Sequence, residues 1–370
     1  MTAVCLVGCD RDTASDGGGM PDAFIPISFS AHEGEEETVT RSDAAPGITR
    51  AEKGLEDVLP AGDEAFKVWG FKNTDINCSE FQTVMNGYNV KWTENSAATS
   101  TSNSHNWEYV GQGTNQTIKY WDWSATAYRF FGYVNVGATN VITTLNTSTF
   151  TFSFYANADN ESAAPYYSRL WISDNNYEHY PTRKYGEVVQ LEFLKPFAKV
   201  RFLFISDEPD VMPIEDVDIT NVYFKPTNNG TIEQEGTMTI TYPLTGTWGS
   251  GTGSKETYEV TGATGISAFE YYYYEAAVGE TDEAVLAGQK YWYTVLPATG
   301  QGTYTLNVTV NGEDQDCVVP ADFMNWLPCY QYTYVFKIHA DNGVSIGGVY
   351  SAFKLWDDTG KTKDHTIYNW

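Results

Sequence analysis

Positive charge is scarce in this chain of 370 residues, which has 22 Lys and Arg against 48 Asp and Glu and a net charge of −26. A field of that sign repels phosphate groups, so the composition argues against nucleic-acid binding and against electrostatic docking on anionic lipid. Long apolar runs are missing as well. No stretch of about 18 apolar residues occurs, and the sequence therefore predicts no membrane-spanning helix.

Motifs for metal binding and catalysis are also lacking. The five histidines are scattered without an HExxH pattern, and there is no CxxC pair or GxSxG elbow. The glycine-rich stretch 249–255 fails as a phosphate loop because Ser254 stands where Walker A needs glycine before the lysine. We therefore expect a non-enzymatic protein with no catalytic residue, metal or cofactor. Paired carboxylates for glycoside hydrolysis meet only in space, and the sequence leaves a glycoside-active enzyme as the weakest alternative.

Cysteines are few. Beyond Cys5 and Cys9, only Cys78, Cys317 and Cys329 remain. In an oxidising compartment Cys317 and Cys329 could pair across neighbouring strands, and separate structural thiols are the equal alternative.

The start of the chain carries a bacterial lipoprotein cleavage pattern, Leu6-Val7-Gly8-Cys9. After export Cys9 would become the lipidated N-terminus, and two or more acyl chains make such an anchor stable. Residues 1–9 are thus predicted to be a truncated signal. The alternative is a chance free thiol in a polar tail.

An acidic leader follows, which we delimit as residues 10–55. Residues 10–65 hold 14 Asp and Glu against 4 Lys and Arg, and such a composition is typical of a flexible segment. One island within it, 24–30, predicts a strand with Ile25, Ile27 and Phe29 on one face. Pro26 restricts that strand to a sheet edge.

The remaining residues predict an all-β protein, because aromatic and β-branched residues dominate between Gly and Asn turns. Residues 148–155 alternate apolar and polar, as a strand over a core does. Asn311-Gly312 between two such runs predicts a type I′ hairpin. We expect two tandem β-sandwich domains of a transthyretin- or immunoglobulin-like Greek-key kind, at 56–185 and 186–370. Residues 90–116, rich in Ser, Thr and Asn, are predicted to be surface loops.

Two aromatic clusters, 120–123 and 271–274, could stack sugars. We favour the alternative that their rings pack in the core.

Several of these residues are similar to one family. The pattern at Cys9, the Thr-Arg pairs at Thr40-Arg41 and Thr49-Arg50, and the segments 189–200 and 326–338 resemble the fimbrillin-like subunits of type V pili from Gram-negative gut and oral bacteria. The resemblance covers most of the chain. It is a pattern of strand and turn residues and contains no catalytic signature.

The resemblance implies export as an outer-membrane lipid-anchored precursor that later joins a cell-surface fimbrium. An arginine-specific protease would cut at Arg50–Ala51, or as second choice at Arg41–Ser42, and release the first strand. The alternative is that Arg41 and Arg50 are ordinary linker residues. The strand retained beside the opened groove would be 66–71.

The groove would accept a C-terminal donor strand from another subunit. The candidate donor residues are Val344, Ile346, Val349, Tyr350, Phe353 and Leu355. The sequence does not distinguish this role from a strand that closes its own sheet. The first functional hypothesis is therefore a structural pilin whose partners are other pilin subunits, the protease and, at a tip, a host glycan or protein. The alternative is a monomeric surface lipoprotein that binds glycans or host proteins.

Overall fold

The computed structural model describes residues 24–33, 65–75, 77–93, 102–103, 106–134, 140–173, 185–246, 256–273, 276–278, 285–288, 292–353 and 366–367. Within these ranges the chain forms strands and three short 3₁₀-helices, which confirms the all-β prediction. No helix in the described ranges is long and apolar enough to cross a membrane. The predicted sites at Cys9, Arg41, Arg50 and Leu355 lie outside the described residues.

The first eight strands precede residue 174. They are β1 (Phe29–Glu33), β2 (Ala65–Asn73), β3 (Gln82–Trp92), β4 (Trp107–Glu108), β5 (Ala127–Val134), β6 (Ile142–Leu145), β7 (Thr149–Asn157) and β8 (Tyr166–Ser173). A 3₁₀-helix, Ala158–Ala163, joins β7 to β8.

Fourteen more strands follow within the described residues. They are β9 (Val189–Phe193), β10 (Ala198–Ser206), β11 (Ile219–Pro226), β12 (Ile232–Pro243), β13 (Thr257–Ile266), β14 (Phe269–Tyr273), β15 (Ala276–Val278), β16 (Val285–Gly288), β17 (Tyr293–Val295), β18 (Tyr304–Val310), β19 (Glu313–Val319), β20 (Tyr330–Ile338), β21 (Val344–Phe353) and β22 (Thr366–Ile367). The other 3₁₀-helices are Ile214–Asp216 and Ala321–Phe323.

The strands of the described residues assemble into five sheets. Their orders are β1-β9, β4-β3-β2-β5-β8, β13-β12-β7-β6, β14-β11-β18-β19 and β15-β16-β10-β20-β21-β22, with β17 also paired to β10. The β1–β9 and β10–β20 pairs are parallel.

The local predictions for β7 and for the β18–β19 hairpin are confirmed. Phe150, Phe152 and Phe154 of β7 are buried, as the alternation requires. In the hairpin Val310 pairs with Glu313, and both turn residues have positive φ, 49° at Asn311 and 83° at Gly312. Two positive φ values define the type I′ turn.

The predicted boundary near residue 185 is crossed by two elements. β12 pairs with the whole length of β7 through its residues 235–243, and β9 pairs with β1. The buried side chains in the part of the chain that the structure describes therefore form three cores. One lies between β1-β9 and the β2 sheet, one between the other face of that sheet and β7-β12, and one within 198–349. The physical reason is that β2 and β5 are buried on both faces, so that two layers are needed to cover them.

The prediction of surface loops over 90–116 is wrong at both ends of that range. Residues 90–92 belong to β3, and Val90 is buried. Trp107 and Tyr109 are buried, and so is Asn103. The Asn103 side chain accepts the Tyr109 backbone N–H at 2.8 Å and donates to the Trp107 carbonyl at 3.2 Å. Satisfied hydrogen bonds let polar residues enter a core, which composition alone cannot reveal.

Candidate functional site: the groove that holds the N-terminal segment

The N-terminal segment, residues 24–33, lies in a groove built by residues distant in sequence. Its β1 part runs parallel to β9, with Phe29 opposite Val189 and Glu33 opposite Phe193. Upstream of β1, the Ile27 N–H donates to the Lys119 carbonyl at 2.8 Å, and the Trp121 N–H donates to the Ile25 carbonyl at 3.0 Å. The segment is therefore held by backbone hydrogen bonds to two separate parts of the chain. We call the surface formed by β9, residues 119–121 and the buried side chains beneath the segment the acceptor groove.

The inward side chains of the segment fill the core beneath the groove. Ile27 and Phe29 are buried and Ile25 is half-buried, on the side that the sequence predicts to face inward, and Ala31 is buried beyond them. The strand itself runs over Phe29–Glu33, so the predicted strand over 24–30 is wrong for residues 24–28. The Phe29 ring meets Phe66, Tyr109 and Phe130 with centroid separations of 6.2, 6.1 and 5.6 Å. Burying Ile27 and Phe29 contributes about 3–6 kcal/mol together.

Tyr109 fixes the backbone of the segment from below. Its hydroxyl donates to the Ile27 carbonyl at 3.0 Å and accepts the Lys119 N–H at 3.0 Å. Burial raises the pKa of Tyr109, so the hydroxyl keeps its proton at neutral pH. One side chain thereby fixes the position of the N-terminal segment relative to residues 119–121, which form one wall of the acceptor groove. We call these residues the 119–121 wall.

The chain makes room for Ile25 with a glycine. Gly186 has a φ of +91°, and a Cβ there would stand 3.2 Å from Ile25 Cδ1. A side chain at position 186 would thus be both conformationally strained and in close contact with the segment.

An ion pair braces the 119–121 wall against β2. Lys72 Nζ lies 2.6 Å from the carboxylate of Asp122, the residue after Trp121. The Lys72 hydrogen bond, supported by the Ser124 hydroxyl and backbone, lowers the pKa of Asp122 to about 2.

The structure corrects the predicted partner of the first strand. Residues 66–71 do form part of β2, but the strand paired with β1 is β9, and β2 contacts the segment only through side chains such as Phe66. Residues 189, 191 and 193 of β9 are buried in alternation with exposed 190 and 192. That alternation predicts a strand but carries no information about which strand lies beside it. Tyr109 had no sequence signal, because it is a single tyrosine in a polar stretch.

The candidate donor segment is paired within its own chain. β21 runs antiparallel to β20 from Val344 to Phe353, and β22 pairs with its other edge at Tyr350 and Ser351. Val349 is buried and Val344 and Ile346 pack on the same core. In this structure, therefore, the segment closes its own sheet, which is the second of the two roles that the sequence left open.

A bulge explains the uneven spacing of the inward residues of β21. Phe336 pairs with Ile346 but Val335 pairs with Gly348, so Gly347 is the extra residue. A Cβ at Gly347 would lie 2.9 Å from Lys337 Cγ and 3.1 Å from the Val335 carbonyl oxygen. The bulge moves the inward positions from Val344 and Ile346 to Val349.

Cys317 and Cys329 are free thiols in separate cores, so the disulfide that the sequence left open does not form in this structure. Cys329 Sγ donates to the Lys195 carbonyl at 2.9 Å. Burial raises the pKa of Cys317 to about 11, which keeps that thiol protonated and unreactive.

The first aromatic cluster contributes to the core through Trp121, which is buried and stacks on Tyr185 at 5.2 Å. Tyr120 is exposed and contacts the exposed Phe24. The second cluster belongs to β14 up to Tyr273. No three His, Cys, Asp or Glu side chains in the described ranges are grouped as a metal site would need.

No protein-family model and no curated protein matches this chain. Among solved structures, it is similar to a fimbrial protein from Bacteroides vulgatus, with a TM-score of 0.44, 10% identity and coverage of 93% of this chain and 99% of that chain. A proposed cell adhesion protein from Bacteroides ovatus gives a TM-score of 0.40, 12% identity, and coverage of 90% of this chain and 100% of that chain.

The fimbrial anchor protein Mfa2 from Porphyromonas gingivalis aligns with a TM-score of 0.27 and 11% identity, over 90% of this chain and 100% of that chain.

Proposed function

We propose that this chain is a non-enzymatic structural subunit of a cell-surface fimbria, exported as a lipoprotein lipidated at Cys9. In this proposal an arginine-specific protease cuts the precursor after Arg50, or after Arg41, and the subunits polymerise by strand exchange. The observation that carries the proposal is the acceptor groove. The N-terminal segment fills it, and residues 34–64, which contain both arginines, connect that segment to β2.

The non-covalent interactions of the segment are weak enough for it to dissociate once the chain is cut and another strand can replace it. It contributes two large buried side chains, worth about 3–6 kcal/mol, and backbone pairs on both sides. Once a cut is made in 34–64, non-covalent contacts such as these hold the described segment in the groove. Its loss would expose the apolar side chains of Phe66, Tyr109 and Phe130 and leave the β9 backbone edge unpaired. A strand of another chain can cover these side chains and pair with β9.

The donor must meet two conditions. It must run parallel to β9, and it must carry apolar side chains at alternate positions that match Ile27, Phe29 and Ala31. The C-terminal segment has such residues at Val344 and Ile346, but it has to leave β20 before it can reach another subunit. Donation by β21 therefore costs stability in the donor, and we propose it as an exchange between two paired states.

The test is controlled cleavage of the purified precursor. We expect brief digestion by an arginine-specific protease to give a fragment that begins at Ala51, together with filaments visible by electron microscopy and release of residues 24–33. Arg50→Lys should abolish the fragment that begins at Ala51 when the arginine-specific protease is used, but not when trypsin, which accepts lysine, is used. This variant is a matched control, since its charge is unchanged.

If cleavage at Arg50 and Arg41 leaves residues 24–33 bound and the protein monomeric at high concentration, the strand-exchange proposal is wrong. If Cys9→Ala leaves the protein in the membrane fraction, the lipid anchor is wrong. The two results are independent of each other.

A further inference from the structure

A polar pocket lies on the sheet β13-β12-β7-β6, away from the acceptor groove. It has a volume of about 210 Å³, and its polar lining includes Asn157, Asp159, Gln234, Glu235 and Thr264. These residues come from the end of β7, from the following 3₁₀-helix and from the paired β12 and β13 strands.

A backbone irregularity builds the pocket. The β12–β13 register shifts on both sides of Glu235, so β12 loses its regular alternation there. As a result the consecutive residues Gln234 and Glu235 both line the same opening, where a regular strand would point them to opposite faces. Position 265 admits only glycine, because a Cβ there would overlap the Ile232 carbonyl.

Glu235 is held in one orientation by three donors. Its Oε2 accepts the Tyr155 hydroxyl at 2.7 Å and the Asn157 amide at 3.3 Å, and its Oε1 accepts the Thr264 hydroxyl at 2.6 Å. A carboxylate fixed in this way is pre-organised and loses little conformational entropy when it binds a ligand.

The lining of the pocket favours a ligand that carries hydroxyl donors and no negative charge. Two carboxylates, Asp159 and Glu235, and the amide groups of Asn157 and Gln234 offer mainly acceptors, with amide N–H donors beside them. Two carboxylates in a chain of net charge −26 repel phosphate, sulfate and acidic sugars. The complement of such a set is a neutral molecule with several adjacent hydroxyl groups.

An aromatic ring stands beside the pocket. Tyr155 is 54% exposed and reaches Glu235 through its hydroxyl. An exposed ring whose polar tip is already bonded presents an apolar surface next to the hydrogen-bonding groups. Sugar rings have the matching combination of hydroxyl groups and C–H faces.

We propose that the Glu235 pocket, with Tyr155 at its side, binds one ring of a neutral saccharide. Glu235 and Asp159 accept hydrogen bonds from adjacent sugar hydroxyls, Asn157 and Gln234 donate and accept at the rim, and Tyr155 packs on the C–H face of the ring. This activity goes beyond a role in polymerisation and needs neither cleavage nor assembly.

The experiment uses the unprocessed full chain and ligand-observed NMR. The probes are the methyl glycosides of glucose, galactose, mannose and N-acetylglucosamine, with sialyllactose as the acidic comparison and calcium chloride alone as a separate arm. We expect millimolar binding of at least one neutral glycoside and a weaker or absent response to sialyllactose. Glu235→Gln should weaken the binding about tenfold, because it removes a charge-assisted acceptor.

Glu259→Gln is the matched control. Glu259 is an exposed carboxylate on β13 of the same sheet, it does not line the pocket, and its substitution should leave binding unchanged. Tyr155→Phe keeps the ring but removes the bond to Glu235, and we expect a smaller loss than from Tyr155→Ala.

Three results would overturn the proposal: no neutral glycoside binds, Glu235→Gln binds as the native chain does, or the pocket takes calcium and no sugar. None of these results bears on cleavage or polymerisation, so failure here is distinguishable from failure of the pilin proposal.

Discussion

At the scale of the residue, Phe29 joins the N-terminal segment to the core through contacts with three rings. We predict that Phe29→Ala lowers the free energy of unfolding by about 3–5 kcal/mol, because it leaves a cavity among Phe66, Tyr109 and Phe130. Denaturant unfolding measures that loss. Hydrogen exchange at the Val189 amide, which donates to the Ser28 carbonyl at 2.8 Å, reports whether the segment detaches.

Ser30→Ala is the control for this prediction, since Ser30 lies in the same strand but outside the buried face. Its effect should stay within about 0.5 kcal/mol. Equal effects of the two substitutions would mean that the segment is not packed as described.

The ion pair of Lys72 and Asp122 predicts a pH effect. The pKa of Asp122 is about 2 in the folded chain against an ordinary value of 3.8. Because folding lowers this pKa, the stabilisation is complete above about pH 4 and is lost as the pH falls towards 2. Asp122→Asn should reduce stability at neutral pH and flatten the pH dependence between these values.

The measurement for Asp122 is the difference between native and variant unfolding curves from pH 2 to 6, which cancels the other carboxylates. Asp210→Asn, a change at an exposed carboxylate, is the control and should leave the curve unchanged. If the difference in unfolding free energy between the native chain and Asp122→Asn stays constant from pH 2 to 6, the lowered pKa of Asp122 is contradicted.

At the scale of the element, the glycine of the β18–β19 turn is needed for its backbone conformation and not for lack of space. A Cβ at Gly312 meets nothing within 4 Å, but its φ is +83°. Gly312→Ala should therefore cost about 1–2 kcal/mol through the left-handed conformation. Gly302 has the same open space without a positive φ, so Gly302→Ala should be neutral or slightly stabilising in thermal unfolding. Equal melting shifts would refute this explanation.

β21 gives the prediction that separates a free donor from a structural strand. Deleting residues 343–370 removes β21, one of the two strands paired with β20, and exposes part of the buried core around Tyr334 and Phe336. We expect a loss on the order of 5 kcal/mol with aggregation, seen by thermal melting and size-exclusion chromatography. Deleting only 366–370 removes a two-residue strand and should have little effect. A stable monomeric 343–370 deletion would favour a free donor strand instead.

Local patterns predicted elements better than they predicted neighbours. The alternation at Phe150, Phe152 and Phe154, the Asn311-Gly312 turn and the inward face of Ile27 and Phe29 follow from periods and turn chemistry that act within a few residues. The pairing of β1 with β9 joins residues 160 positions apart (Phe29 with Val189), and nothing local specifies it. The burial of Asn103 likewise depends on partners that only the fold brings together, and so does the pocket around Glu235.

At the scale of the whole molecule, the layers are shared between the two halves of the sequence. β7 has β12 as its long partner, and Phe150 and Phe152 lie in one core with Met238 and Ile240. We predict that residues 1–180 and 181–370 are insoluble or unfolded alone but form a stable complex when they are expressed together. Co-purification with a tag on one fragment and near-ultraviolet circular dichroism check this.

Met238→Lys should abolish the fragment complex, because it puts a charge in the shared core. Thr237→Lys, at the exposed neighbouring position of β12, is the control and should leave the complex intact. Two halves that each fold alone would support the predicted division at residue 185 and contradict this prediction.

The parallel pairing of β1 with β9 has a directional consequence. A replacement strand that keeps the present hydrogen bonds must enter with its amino end at the Trp121 side and leave towards Phe193. The contact between donor and acceptor is then made by two different surfaces, which is a heterologous contact and does not close on itself unless the rotation happens to make a ring. A polymer built through this groove would be a polar fibre, with an unoccupied groove at one end only, and would grow by addition at unlike ends.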